Sequence, residues 1–226
     1  GRALAHAAAA TSATPPSFEA LLAEKVLAPL GMVNATFDTA KVLAADQRAV
    51  GTTSSGEFVN VSNTCQPTPG APGGWGAPCG CLWASADDMA KFMKLYFRDD
   101  VPAGASPSQI LDGDTLREAL LPSVLLRDGS SAVGTPWEVK YSSGVWMKGK
   151  QGELPGYRSS VTLVEELKLG VFVSALVSDV DESSVWTIPI LDTLVPPLMA
   201  ALWRLKRRSQ TLILQKRRPL RRLWRC

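Results

Sequence analysis

The chain has 226 residues, 46% hydrophobic and 20% charged, an ordinary globular composition with enough apolar material for one sizeable core. Its net charge of +3 is uneven: ten Lys and Arg and no acid lie from Arg204 onward, while residues 1–203 carry fourteen basic and twenty-one acidic side chains. His6 is the single histidine, and Cys79-Gly80-Cys81 is too tight for a zinc knuckle, so composition speaks against a structural zinc site and a Ser-His-Asp arrangement and implies no cofactor.

In chain order, residues 1–9 are Ala-rich and read as the end of a helix that Thr11 to Pro16 breaks. Ser17 caps a new helix with Phe18, Leu21, Leu22 and Val26 on one apolar face, and Pro29 and Gly31 stop it. Residues 50–80, rich in Gly, Pro, Ser and Thr, read as a long surface loop. Asn34-Ala35-Thr36 and Asn60-Val61-Ser62 are glycosylation acceptor patterns. In an oxidising compartment Cys65 would close a loop with Cys79 or Cys81. Both features move the expected location toward the secretory pathway, the extracellular space or a membrane surface. No signal peptide is visible, but the chain begins at Gly1 rather than Met, so that observation carries no information.

Ser85-Ala86-Asp87-Asp88 is a capping-box start, and Met89, Phe92, Met93 and Tyr96 follow at helical spacing. A short helix around Thr115–Leu120 and a loop to Pro136 come next. Three strands are expected at Trp137–Met147, Ser159–Glu165 and Leu169–Val177, separated by Gly149, Gly152 and Gly156 and then by Glu166 to Lys168. The third is nearly all apolar, as a central strand buried on both faces would be. Ser184 caps a last helix through Trp203. Val185–Trp203 has the length of a membrane span, but Asp192, Pro189, Pro196 and Pro197 argue against one. Residues 204–226 form a basic tail expected to be disordered, because like charges repel and few apolar side chains offset the ordering entropy. Leu212, Leu214, Leu220 and Trp224 among its charges suit an anionic membrane surface, and nothing else in the chain supports nucleic-acid binding.

The chemistry-bearing block is Lys150-Gln151-Gly152-Glu153-Leu154-Pro155-Gly156-Tyr157. A lysine on a strand edge is a fixed positive charge that can hold a substrate carboxylate or favour an ionised nucleophile. Gly152, two residues on, removes the side chain that would block approach to the strand. The next backbone N–H, at Glu153, can point at a developing oxyanion. Lys-x-Gly alone is too common to carry a function. The pairs Asp87-Asp88 and Asp99-Asp100 read as helix-start charge and a solvated loop rather than an acid/base dyad.

Four blocks in order make the chain resemble the serine beta-lactamase and penicillin-binding-protein superfamily, in its beta-lactamase-related, class C-like branch. Phe18 to Leu22 and Val26-Leu27-Ala28-Pro29-Leu30-Gly31-Met32, with Thr36-Phe37, look like the family's helix ending in Pro-Leu-Gly-Met. Gly80 to Phe92 resembles its Gly-Gly-Leu-x-Ser helix start. Lys150 to Tyr157 matches the third catalytic motif with its trailing Pro-Gly-aromatic. Leu169 to Val173 matches the following strand. The resemblance covers about residues 17–203. It implies an α/β fold, a mainly antiparallel sheet flanked by helices, with amide or ester hydrolysis through an acyl-serine and an unknown small-molecule or peptide-like substrate. It also implies Ser-x-x-Lys and Tyr-x-Asn motifs, and neither occurs in residues 1–226. By the family's order both would fall before Gly1, so the chain reads as the C-terminal part, 1–203, of such a domain, inactive by itself. The alternative is a non-catalytic binding or scaffold protein at a membrane surface.

Overall fold

Backbone pairing organises the molecule around one six-stranded antiparallel sheet in strict chain order. The strands are β1 (Pro122–Leu125), β2 (Ser131–Gly134), β3 (Glu138–Ser142), β4 (Val145–Leu154), β5 (Tyr157–Val164) and β6 (Leu169–Leu176). The helices are α1 (Phe18–Leu22), continued through a π turn (Ala23–Leu27) into α2 (Ala28–Leu30), then α3 (Thr39–Leu43), α4 (Ala77–Gly80), α5 (Ala86–Leu95), α6 (Gly113–Ala119) and α7 (Thr187–Lys216). This computed structural model describes residues 16–46, 48–53, 55–59, 76–99, 101–176 and 187–216. The Ala-rich start with His6, the acceptor Asn60, Cys65, Asp100 and Ser184 lie outside them. The expected class, α/β with an antiparallel sheet and flanking helices, is the one observed.

The structure departs from the expected elements in several places. Gly149 and Gly152, expected as turn residues between strands, lie inside β4, and only Gly156 sits in a turn. The loop expected before Pro136 contains β1 and β2, four residues each. The single strand expected at Trp137–Met147 is a hairpin, because Ser143 (φ 54°) and Gly144 (φ 83°) both adopt the left-handed conformation that turns β3 into β4. β6, read from its composition as a central strand, pairs among the described residues with β5 alone and so ends the described sheet. The last helix does not stop at Trp203: it runs to Lys216, so the tail expected to be disordered from residue 204 is helical over its first thirteen positions.

Register assigns the two faces. Met147 lies opposite Val164 and Lys148 opposite Leu163, so odd and even positions of β4 face opposite ways. One face packs on α5. Met93, Leu120, Ala132, Trp137, Val139 and Leu163 form its buried cluster, flanked by Phe92, Tyr96 and Phe172. Helix α5 starts where it does because Ser85 Oγ accepts from the Asp88 N–H at 3.1 Å while Asp88 bonds back to the Ser85 N–H. It lies close on the sheet because residue 170 is glycine: a Cβ there would sit 2.8 Å from Met93 Sδ. A second cluster, Leu27, Leu30, Met32, Leu95 and Leu116, ties α2 to α5 and α6. On the opposite face Val145, Met147 and Val164 pack against Val195 of α7. Each fully buried leucine such as Leu116 or Leu163 contributes about 1.5–3 kcal/mol.

Candidate active site

The carrier of the Lys-x-Gly block is β4, and what distinguishes it is where its neighbours end. Its pairing with β3 runs from Val145–Ser142 to Gly149–Glu138 and stops there. Its pairing with β5 continues to Leu154–Tyr157. From Lys150 to Leu154, therefore, β4 has a strand on one side only, and its other backbone edge has no strand partner among the described residues. Lys150 stands where this free stretch begins. Its Nζ donates to Glu138 Oε1 at 2.6 Å, and both side chains are about half exposed.

Gly152 lies opposite Ser159, and a Cβ on it would meet Ser159 Oγ at 2.7 Å. The glycine thus lets the strands close up while leaving the surface over them open. The Glu153 carboxylate pairs with Arg158, its cross-strand neighbour, so the side chain is tied down next to the free backbone edge. Pro155 and Gly156 (φ 77°) form the turn into β5.

Helical-side segments clamp this turn. A Cβ at Gly51 would fall 2.6 Å from the Gly156 carbonyl oxygen, so the loop over Ala49–Val59 approaches as only glycine permits. The Tyr157 hydroxyl donates to the Ala49 carbonyl at 3.3 Å, and its ring meets Trp83 edge-on at 5.7 Å. Leu154 joins the cluster of Phe37, Ala77 and Cys81. Cys81 is disulfide-bonded and Cys79 is a free exposed thiol, so Cys79 is not the bonded member of the pair. Asn34 is exposed.

Behind the edge lies a cavity of about 260 Å³, lined by Glu138, Lys150, Gln151, Ser160 and Thr162 among others, with Met147 and Val133 supplying apolar wall. Ser160 and Thr162 are buried polar residues there. The ion pair of buried Lys148 Nζ with half-buried Glu165 Oε2, at 3.1 Å, was not anticipated, nor was Glu138 as the partner of Lys150. The alternation Trp146, Lys148, Lys150 is the signal that would have found the first, since residues two apart share a strand face.

Asp87, Asp88 and Asp99, the described members of the two carboxylate pairs, sit in local structural contacts. Asp88 is buried in the capping box, and Asp87 bonds Lys91 at 2.7 Å, which holds the Asp87 carboxyl below the usual range and raises the lysine. Asp99 bonds Lys168, and that hydrogen bond lowers its carboxyl. No group of three or more His, Cys, Asp or Glu among the described residues could hold a metal ion.

A protein-family model described as Beta-lactamase matches residues 2–183. The chain belongs to the beta-lactamase family. "Beta-lactamase-like protein 2" of Dictyostelium discoideum is 35% identical over 182 residues, covering 79% of this chain and 29% of that protein. "Putative beta-lactamase-like 1" of Homo sapiens is 31% identical over 170 residues, covering 74% and 31%. The chain thus spans about three-tenths of the length of these relatives. Two solved structures share the fold. The octameric penicillin-binding protein homologue from Pyrococcus abyssi has a TM-score of 0.56 at 22% identity, covering 77% of this chain and 37% of that one. The D-amino acid amidase from Ochrobactrum anthropi SV3, complexed with D-phenylalanine, has a TM-score of 0.57 at 20% identity, covering 88% and 55%. In this beta-lactamase-family chain the Lys-x-Gly block therefore stands on a sheet edge of the superfamily fold.

Proposed function

We propose that the chain provides the sheet-side wall of an acyl-transfer cleft and performs no hydrolysis by itself. The observation that carries this reading is the free stretch of β4, Lys150 to Leu154, with an ammonium at its start and a glycine two residues on. In that reading Lys150 anchors a substrate carboxylate, Gly152 lets the acyl group lie against the strand, and the Glu153 N–H is the oxyanion donor. One such donor is worth about a hundred- to a thousand-fold in rate elsewhere, but only after a nucleophile has attacked. Acylation needs a serine whose proton is taken by a base within hydrogen-bond reach. Residues 1–226 hold no Ser-x-x-Lys and no Tyr-x-Asn, so in this reading the covalent step lacks the family's serine and the base that would take its proton.

The test is turnover of a chromogenic cephalosporin and of a p-nitrophenyl ester by the purified 226-residue chain. The reading expects rates equal to buffer with and without Lys150→Ala. A rate above buffer that falls in Lys150→Ala would overturn it.

A further inference from the structure

Four glycines lie inside the described strands, and three of them are required by packing. A Cβ at Gly134, Gly152 or Gly170 would come within 2.8 Å of a neighbouring atom. Gly149 is different. A Cβ there would have Thr162 Oγ1 at 3.4 Å and the Val161 carbonyl oxygen at 3.5 Å, which is ordinary contact, and its backbone is not left-handed. The β4–β5 register runs unbroken through it, so it marks no bulge. A glycine in mid-strand costs stability, and one that neither a bulge nor a close neighbour demands points to a ligand that approaches there.

What the missing side chain leaves is the cavity of about 260 Å³. In register Gly149 has Glu138 on one side and Thr162 on the other, and Gln151 stands opposite Ser160. By the pleat these positions share the side of Met147, which packs toward α7, and Asp192 of α7 lines the hollow. The cavity therefore lies on the face of the sheet opposite α5. Ser160 and Thr162 are each only 6% exposed, and neither hydroxyl has a hydrogen-bond partner among the described residues. Buried hydroxyls are nearly always bonded, so two unpartnered ones on one cavity wall indicate what the cavity holds. The charges around them are largely committed. Half-exposed Lys150 and Glu138 bond each other, Asp192 accepts from Ser142 Oγ, and Lys140 is exposed.

We propose that this cavity is a binding site for a small neutral carboxamide with an apolar body. Ser160, Thr162 and Gln151 can each donate and accept, and a carboxamide presents an acceptor and donors side by side. A carboxylate would lose its hydration to a floor of neutral groups, and a purely apolar guest would leave the hydroxyls unpaired. Met147 and Val133 give the body its apolar wall. A cavity of about 150 Å³ admits benzene, so this one has room for a ring and an amide, about ten non-hydrogen atoms. The site is separate from the free backbone edge of β4, whatever that edge does.

The experiment is titration of the 226-residue chain with phenylacetamide, phenylacetate and ethylbenzene, read by ligand-observed NMR. The proposal expects saturable binding of phenylacetamide, about tenfold tighter than of either other compound. Gly149→Leu puts a side chain into the hollow without a Cβ clash, and should abolish binding while the thermal unfolding midpoint holds or rises. Ser160→Ala with Thr162→Val keeps the volume and removes both hydroxyls, which serves as the check should Gly149→Leu fail to fold. It should weaken phenylacetamide about twentyfold and leave ethylbenzene undiminished. No saturable binding of phenylacetamide would overturn the proposal, the cavity then holding water alone. So would binding that survives in a folded Gly149→Leu or is unchanged in the double variant, or phenylacetate bound as tightly as the amide.

Discussion

At one edge of the sheet β1 is four residues long, begins with Pro122, is exposed throughout and slips register against β2 between Pro122 and Val124. At the other edge β6 runs eight residues in unbroken register with β5, with no charge and no proline. Natural sheets blunt their edges with prolines, shortness and bulges, as β1 does. β6 uses none of these devices and has instead the composition of a strand with neighbours on both sides. Between these extremes lies the free stretch of β4, which is protected by chemistry rather than by shape: Lys150 and Glu153 are each paired, and neither invites a further hydrophobic strand. The three edges are therefore distinguishable by which residues line them.

The largest effect that would sharpen the contrast is in the core between β5 and α5. Leu163→Ala should cost about 2–5 kcal/mol in denaturant unfolding. Val124→Ala on exposed β1 should stay within about 0.5 kcal/mol. Equal costs would mean that the sheet does not bear on α5 as described. Next comes the clamp on the β4–β5 turn. Gly51→Ala must move backbone away from the Gly156 carbonyl and should cost about 1–3 kcal/mol. Gly152→Ala meets only the Ser159 hydroxyl, which can rotate, and should cost less than Gly51→Ala in the same assay.

Acid should act through Asp99. Its carboxyl is held below the usual range by Lys168, so the pair contributes stability above about pH 3.9, the unfolded value, and loses it as pH falls through the lower folded one. Lys168→Met should flatten that part of the acid unfolding profile, and an unchanged profile would mean the pair contributes nothing. Among the charged pairs the smallest effect is expected at Glu138→Gln, which removes a partner exposed to water. Stability should change by less than about 1 kcal/mol.

The order of these effects follows what the sequence made readable. The Ser85 capping box, the apolar face with Met93 and Phe92, and the strands near Ser159–Glu165 and Leu169–Val177 were legible because each repeats a local rule over several residues. β1 and β2 were not, since four residues are too few to display the alternation that betrays a buried face: β1 is exposed throughout and β2 buries only Ala132. The β3–β4 turn hid behind Ser143, a residue that seldom takes positive φ. β6 was read as central because composition reports what a strand is suited to and says nothing of which neighbours it has. The helix beyond Trp203 was missed because repelling charges argued for disorder, while backbone propensity, good for Arg, Lys, Leu and Gln, argued the other way. At the site, Lys150 and Gly152 were legible as a motif. Glu138 was not, because its partnership with Lys150 spans twelve residues and depends on a hairpin that the sequence concealed.

The claim that Lys150 and Gly152 line one wall of a cleft whose nucleophile is not among residues 1–226 is tested most directly by intact-protein mass after incubation with a serine-directed acylating probe. The account predicts an unshifted mass for the purified chain and for Lys150→Ala alike. A stoichiometric adduct mapped to a serine, and lost in Lys150→Ala, would contradict it.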